Sequence, residues 1–276
     1  MASAGDPWKD AHDAAASAGV SLRALTTLED ADQVLDVMVA TWGSENQLTR
    51  DFVRALQGSG NVPWGAFEGD ELVGYVLGWL GVDREDGLHV HSHMLAVLPG
   101  RRHAGVGRAL KLAQRAQALD AGVRTVRWTF DPLMARNAFF NLVKVGAVAD
   151  RFHRHYYGDM EDAINRGERS DRLEARWDVS SPLPGPRELV EEAMVVLGKE
   201  GLDEAPSPTE VRPPHQGPAL VWIPSDYPTL RERDSALAAR WRDAAAEAIE
   251  ACRAAGMVAV RFLKEGAYVF VPEARG

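Results

Sequence analysis

The stretch that decides the fold is Met94-Leu95-Ala96-Val97-Leu98-Pro99-Gly100-Arg101-Arg102-His103-Ala104-Gly105-Val106-Gly107-Arg108. The apolar run 94–98 predicts the end of a strand, and Pro99-Gly100 stops it. Residues 109–121 are rich in Ala and Leu and predict a helix. Strand, glycine turn and helix in that order make a phosphate cradle. The glycines let backbone N–H groups turn inward with no Cβ in the way. The helix that follows directs the positive end of its dipole at the same spot. Glycine turns between strands and helices are common, so this one takes its meaning from its neighbours.

Upstream, 21–24 reads as a first strand. Thr27 and Asp30 read as a capping box. Ala31, Val34, Leu35, Met38 and Trp42 then follow helical spacing. A second helix starts near Thr49 and is expected to bury Phe52, Val53 and Leu56. Strands at 64–68 and 71–80 flank Gly69-Asp70, a hairpin signal. Another strand covers 88–98. The helix after the glycine turn is expected to bury Ala109, Leu112, Ala113, Ala116 and Leu119, with Arg108, Lys111 and Arg115 facing water. Gly122 closes it.

Downstream, 123–130 alternates as a strand and 135–145 reads as a short helix. A strand follows at 147–157, then a polar loop at 158–170 and a strand at 172–177. The run Ser180-Ser181-Pro182-Leu183-Pro184-Gly185-Pro186 reads as a boundary. Beyond it the spacing predicts a helix over 187–198, a proline-rich loop over 204–218 and a strand over 219–223. A long helix is expected from about 230 to 255, with Leu237, Trp241, Ala245, Ile249 and Cys252 on one stripe. A hairpin turning at Glu265-Gly266 ends the chain.

The chain has 276 residues, 46% of them hydrophobic and 26% charged, which suits a globular protein with a core that needs no staples. A net charge of -9 argues against a general binder of nucleic acid or of anionic membranes. Cys252 is the only cysteine, so no intramolecular disulfide is expected. The small, polar residues 1–19 read as a loose tail, or at most a short Ala-rich helix, without a secretory signal. No apolar run is long enough to span a membrane. A cytoplasmic protein is the expectation.

The order of elements, with Arg102-x-x-Gly105-x-Gly107 between strand and helix, resembles the GNAT (GCN5-related N-acetyltransferase) superfamily over roughly 22–177. Val97-x-Pro99, the Gly122 turn and Asn137-Ala138-Phe139-Phe140-Asn141-Leu142 followed by Lys144-Val145-Gly146-Ala147 fit the same pattern. Ser92-His93-Met94, 128–133, Tyr156-Tyr157-Gly158-x-Met160 and 165–173 resemble a bacterial subgroup of that family. The resemblance implies an α+β fold with a splayed mixed β-sheet flanked by helices. It divides the chain into a tail (1–20), an acyltransferase domain (21–178) and an additional α+β segment (179–276), which is either a pocket cover or an oligomer interface such as that of a homodimer. It implies acetyl-CoA as acyl donor and a small-molecule amine as acceptor, with no metal, nucleic acid or membrane involved.

By this reading Leu95 and Val97 offer main-chain hydrogen bonds to the pantetheine arm. Arg102, His103, Ala104, Gly105, Val106, Gly107 and Arg108 hold the pyrophosphate. Asn137 either bonds the arm or caps a helix. His89, His91 and His93 alternate on one strand face, as catalytic groups, as a zinc site or as plain surface histidines. His93 is the favoured base, with His91 beside it and Asp131 to orient it or to bind an ammonium. Asn165, Ser170, Asp171 and Arg172 form an acceptor loop, or a capped turn with a structural ion pair. The tyrosine that protonates the leaving thiolate in many relatives aligns with Leu142, which leaves Tyr156 as a substitute. That departure also admits a second reading, a CoA-binding sensor or scaffold without turnover, and a third, an aminoacyl-transfer GNAT.

Overall fold

The structure is a computed structural model that describes residues 6–43, 48–85, 87–102, 104–160, 167–184, 192–201 and 205–273. Contacts divide the chain into two compact units. One holds Met1–Trp128, Met160–Gly167 and Asp178–Pro182, and the other Thr129–Asp159, Glu168–Trp177 and Leu183–Gly276.

The first unit opens with helix α1 (Pro7–Ser17), capped by the Asp6 side chain, which accepts from the Trp8 and Lys9 amides. Strand β1 (Ser21–Ala24) leads to α2 (Leu28–Trp42), which starts in the expected capping box. The Asp30 amide donates to Thr27 Oγ1 at 3.0 Å and the Thr27 amide to Asp30 Oδ2 at 2.9 Å. Burial works against the Asp30 carboxylate, but these amides and Arg23 outweigh it and lower its pKa. Helix α3 (Arg50–Gly58) follows, capped by Thr49. Then come β2 (Trp64–Glu68), β3 (Glu71–Asp83), β4 (Gly87–Val97), α4 (Val106–Asp120) and β5 (Thr125–Phe130), whose last two residues belong to the second unit.

The strands of this unit lie in the order β1-β2-β3-β4-β5. β1 to β4 pair antiparallel, whereas β5 runs parallel to β4. A parallel neighbour needs a crossover, and α4 supplies it. One sheet face packs Phe67, Leu72, Tyr75, Leu77 and Ala96 on Val34, Val37 and Met38 of α2 and Val53 and Leu56 of α3. The other packs Ala66, Val73 and Val76 on Val106 and Leu110 of α4. Each such fully buried aliphatic side chain contributes roughly 1.5–3 kcal/mol.

Three expectations for this unit fail, one of them the burial of Leu119, which is half-buried. Phe52 is 41% exposed rather than buried, with its ring set edge-on to Trp79 at 6.2 Å. Lys111 and Arg115 do not face water, since each is 2% exposed. Lys111 turns to the sheet, where it meets Ser92 of β4 and Trp128 of β5, whereas Arg115 lies toward α1, which packs along α4. Trp8 Nε1 donates to Asp120 at 2.7 Å, and Arg115 reaches Asp10 at 3.4 Å and the Val179 carbonyl at 2.9 Å.

The second unit begins after β5 with α5 (Ala135–Phe139), which widens into a π-helical turn over Phe140–Val145. Gly146, at φ 83°, ends that turn. Strands β6 (Val148–His153) and β7 (Arg172–Asp178) pair antiparallel. The chain continues as β8 (Met194–Leu197), β9 (Lys199–Glu200), β10 (Ser207–Pro208), β11 (Ala219–Trp222), α6 (Tyr227–Arg233), α7 (Ser235–Ala254), β12 (Met257–Leu263) and β13 (Ala267–Pro272). β7, β6, β12, β13, β11 and β8 lie side by side in that order. The expected stripe on α7 is buried, with Trp241, Ile249 and Cys252 each 0% exposed. Burial pushes the Cys252 thiol up to about 12.

Two expectations are corrected here as well. The helix over 187–198 does not form where the structure describes that stretch. Met194–Leu197 is a strand parallel to β11; its apolar run Met194-Val195-Val196-Leu197 is rich in valine and suits a sheet. The single helix over 230–255 is two helices, because Asp234 leaves helical geometry and caps α7 by accepting from the Leu237 amide at 2.9 Å.

Candidate active site

β4 and β5 pair only at Val90–Val126 and His91–Arg127 and then part. The Leu98 amide donates to the Val73 carbonyl on β3 at 2.9 Å. Backbone groups alternate along an antiparallel strand. Ala96 therefore also turns its groups to β3, while Leu95 and Val97 turn theirs to the edge that β5 has left. Arg102 reaches that edge, its Nε donating to the Val97 carbonyl at 3.4 Å.

The chain then enters the glycine turn. Gly105 is the N-cap of α4 at φ 93°, the left-handed region that L-residues avoid. The Val106 and Gly107 amides precede the first helical bond, which the Arg108 amide makes to the Gly105 carbonyl at 3.0 Å, and they are open to an anion. Ala104 and Gly105 are exposed, Gly107 and Arg108 half-buried, and Val106 is buried as the anchor of the turn. His103 lies outside the described residues.

The histidines are reshaped by a bulge. Leu77 pairs with Met94 and Gly78 with Ser92, so His93 has no partner on β3. An extra residue of this kind bends a strand and re-aims a side chain. The rings of His91 and His93 lie 5.0 and 4.9 Å from Trp79 and 5.8 Å from each other. Partial burial beside Trp79 lowers the His93 pKa, although the residue as a whole is exposed. The shift favours the neutral imidazole, the form that can accept a proton. His89 is 8% exposed, with Nδ1 3.2 Å from the Gly87 carbonyl. Among the described residues no group of three His, Cys, Asp or Glu is arranged to hold a metal ion.

The second unit holds the remaining candidates. Asp131 receives both ends of the Arg242 guanidinium at 2.7 and 3.0 Å, as well as the Leu133 amide at 2.8 Å. Arg172 Nη1 lies 3.8 Å from it. Arg242 also reaches Glu168 at 2.9 Å. Burial works against the Arg242 charge, but Asp131 and Glu168 outweigh it and raise its pKa. Ser170 donates to the Gly158 carbonyl at 2.7 Å and accepts from the Tyr157 amide at 3.1 Å. Asp171, 0% exposed, takes a two-pronged bond from Arg169 at 2.8 Å. Arg172 is buried, donates to the Asp171 carbonyl at 2.8 Å and stacks 5.4 Å from the centre of the Tyr157 ring.

Tyr156 is 46% exposed, 4.9 Å from the His153 ring. Partial burial, then Tyr157 and Glu174, raise its pKa. Asn137 is exposed in the first turn of α5, whose N-cap is Met134. Asn165 lies outside the described residues. Leu142 is 1% exposed in the π-helical turn.

Three features here were not foreseen. Lys111 is a buried lysine, Arg242 reaches across from α7 to Asp131 and Glu168, and His153 Nε2 contacts Glu174 at 2.9 Å. The His153–Glu174 pair had a faint signal, opposite titratable types on two adjoining strands. The other two had none short of the fold.

Residues 29–142 match the model of the acetyltransferase (GNAT) family. The chain is also similar to several solved structures. Naa20 of Chaetomium thermophilum, in complex with a bisubstrate analogue, is 21% identical over 58% of this chain and 86% of its own, with a TM-score of 0.46. The ribosomal-protein-S18-alanine N-acetyltransferase of Escherichia coli is 15% identical over 62% of this chain and 99% of its own, also with a TM-score of 0.46. An N-acetyltransferase of Staphylococcus aureus is 14% identical over 58% and 98%, again with a TM-score of 0.46. No curated protein matches the chain. No helix among the described residues is long and apolar enough to cross a membrane.

Proposed function

We propose that the protein is an acyl-CoA-dependent N-acyltransferase that moves an acetyl group from acetyl-CoA to a small-molecule amine by direct transfer. One observation carries the reading. The edge that β5 leaves on β4 presents Leu95 and Val97 and leads straight into the left-handed turn at Gly105. An arm with amide groups can pair with such an edge as an added strand would. A pyrophosphate can then rest on the amides from Ala104 to Gly107, with Arg102 and Arg108 at its sides. An amide near Leu95 polarises the thioester carbonyl. His93 takes the proton of the amine, with His91 next to it. Asn137 is assigned to the arm and Tyr156 to the acceptor side.

The loop with Ser170, Asp171 and Arg172 belongs to the acceptor side too. Ser170 and Asp171 shape it, and Asp131 positions Arg172. In this reading 21–178 is the catalytic domain and 179–276 an accessory α+β segment. The reading is tested by CoA release from acetyl-CoA across a panel of primary amines, and release with one chemical class is expected. Leu142, where relatives place a tyrosine, favours a second reading, a CoA-binding sensor. CoA binding with release on no amine would establish that alternative.

A further inference from the structure

Lys111 is the least expected side chain of the first unit. It is 2% exposed, and its partners are neutral. Its Nζ donates to Ser92 Oγ at 2.8 Å and to Gln114 Oε1 at 3.0 Å. It lies 3.7 Å from the centre of the Trp128 ring. From β3 Gly78 adjoins the cluster, where a Cβ would stand 3.2 Å from Gln114 Nε2. Arg115, next on α4, is engaged by the Val179 carbonyl and Asp10. No carboxylate pairs with Lys111 among the described residues. Burial alone draws its pKa well below 10.5. An ammonium kept dry without a counter-ion is costly to a fold, so packing does not account for it.

Its place does. Ser92 stands between His91, the last residue of β4 paired to β5, and His93 in the bulge. Ser92 and Lys111 thus lie at the point where the strands part. An acyl-CoA arm laid along Val97 and Leu95 runs toward that point, and the rejoining of the strands stops its sulfur there. This step rests on the donor reading above.

We propose that Ser92 and Lys111 form a proton relay to the departing CoA thiolate, in the role that Leu142 cannot fill. The amine nitrogen bonds to the carbonyl carbon, and the C–S bond breaks with its electron pair going to sulfur. The Ser92 hydroxyl gives its proton to sulfur, and Lys111 Nζ gives one to Ser92 Oγ. His93 passes the proton taken from the amine to solvent, and Lys111, left neutral, regains one from solvent by way of Ser92 Oγ once CoA has left. A lysine drawn down from 10.5 is better matched as an acid to a thiol of pKa about 8.5. Ser92 is the catalytic residue and Lys111 positions and recharges it.

The test needs no acceptor. Thiolate absorbance of CoA bound to the full chain is titrated against pH in the wild type, Lys111→Met and Ser92→Ala, with CoA affinity measured by calorimetry. The relay lowers the bound thiol's pKa in the wild type, and each variant should raise it by about one unit with affinity held within about threefold. Ser92→Ala removes one oxygen and keeps the helix, so it decides the matter if Lys111→Met does not fold. Identical thiol titrations in the wild type and Ser92→Ala would overturn the relay while leaving donor binding intact. Failure of the wild type to bind CoA would instead remove the donor reading, and the relay with it.

Discussion

Gly78→Ala probes the geometry on which the donor site depends. Gly78 faces Ser92 across the sheet, next to the bulge. An added Cβ would stand 2.5 Å from the His91 carbonyl oxygen and 3.0 Å from the Ser92 Cα. Ordinary contact is about 3.5 Å, so the methyl needs roughly 1 Å of retreat from backbone held in a ladder. Overpacking of this kind costs about 1–3 kcal/mol. At about 2–4 °C per kcal/mol, the melting temperature should fall by several degrees. The strand can relieve the clash only by moving His91 and Ser92, where β5 departs. CoA affinity should therefore fall about tenfold. Gly58→Ala is the control, since nothing lies within 4 Å of its Cβ, and both quantities should hold. Thermal unfolding and calorimetry on the three proteins read the outcome. A Gly78→Ala protein as stable as the Gly58→Ala control, with undiminished CoA affinity, would refute the reasoning.

Arg242→Met takes from Glu168 its buried cation and leaves Asp131 the more distant Arg172 at 3.8 Å, and should cost about 3–5 kcal/mol in urea unfolding; an unchanged midpoint would show that the contact is idle. Trp241→Ala empties a 0% exposed site and frees the Pro206 carbonyl, at about 3–5 kcal/mol by the same assay. His93 has a pKa below 6.5 in the fold. The fold disfavours its protonated form, so its contribution to stability is full above 6.5 and is lost as pH falls below it. The acid limb of the rate profile should likewise have its midpoint below 6.5, and His93→Gln should remove that limb. A limb that survives the substitution would assign the proton elsewhere.

Much of the first unit was legible because local signals and tertiary fate agree there. The capping box of Thr27 and Asp30, the hairpin at Gly69 and the turn at Gly105 each form as their residues require. The parting of β4 from β5 was legible only through family resemblance. The bulge at His93 was not legible, because alternation of His89, His91 and His93 looks the same with or without an extra residue. The burial of Arg115 was missed because it involves α1, a segment read as a tail or at most a short helix, and that of Lys111 because its side chain turns to Ser92 and Trp128 on the sheet. Helical spacing says which residues share a face, but not what covers the opposite one. The strand at Met194 was missed because a short apolar run serves helix or sheet alike. Arg242 joins Asp131 over 111 positions, a distance at which no local pattern reports contact.

The central claim is that the edge of β4 and the glycine turn hold an acyl-CoA donor. Calorimetric titration of the full chain with CoA, repeated with Gly105→Trp and Gly107→Trp, tests it most directly. The account predicts binding by the wild type at micromolar concentrations and its loss in both variants. No heat of binding in the wild type at high micromolar CoA, or equal binding in all three proteins, would contradict it.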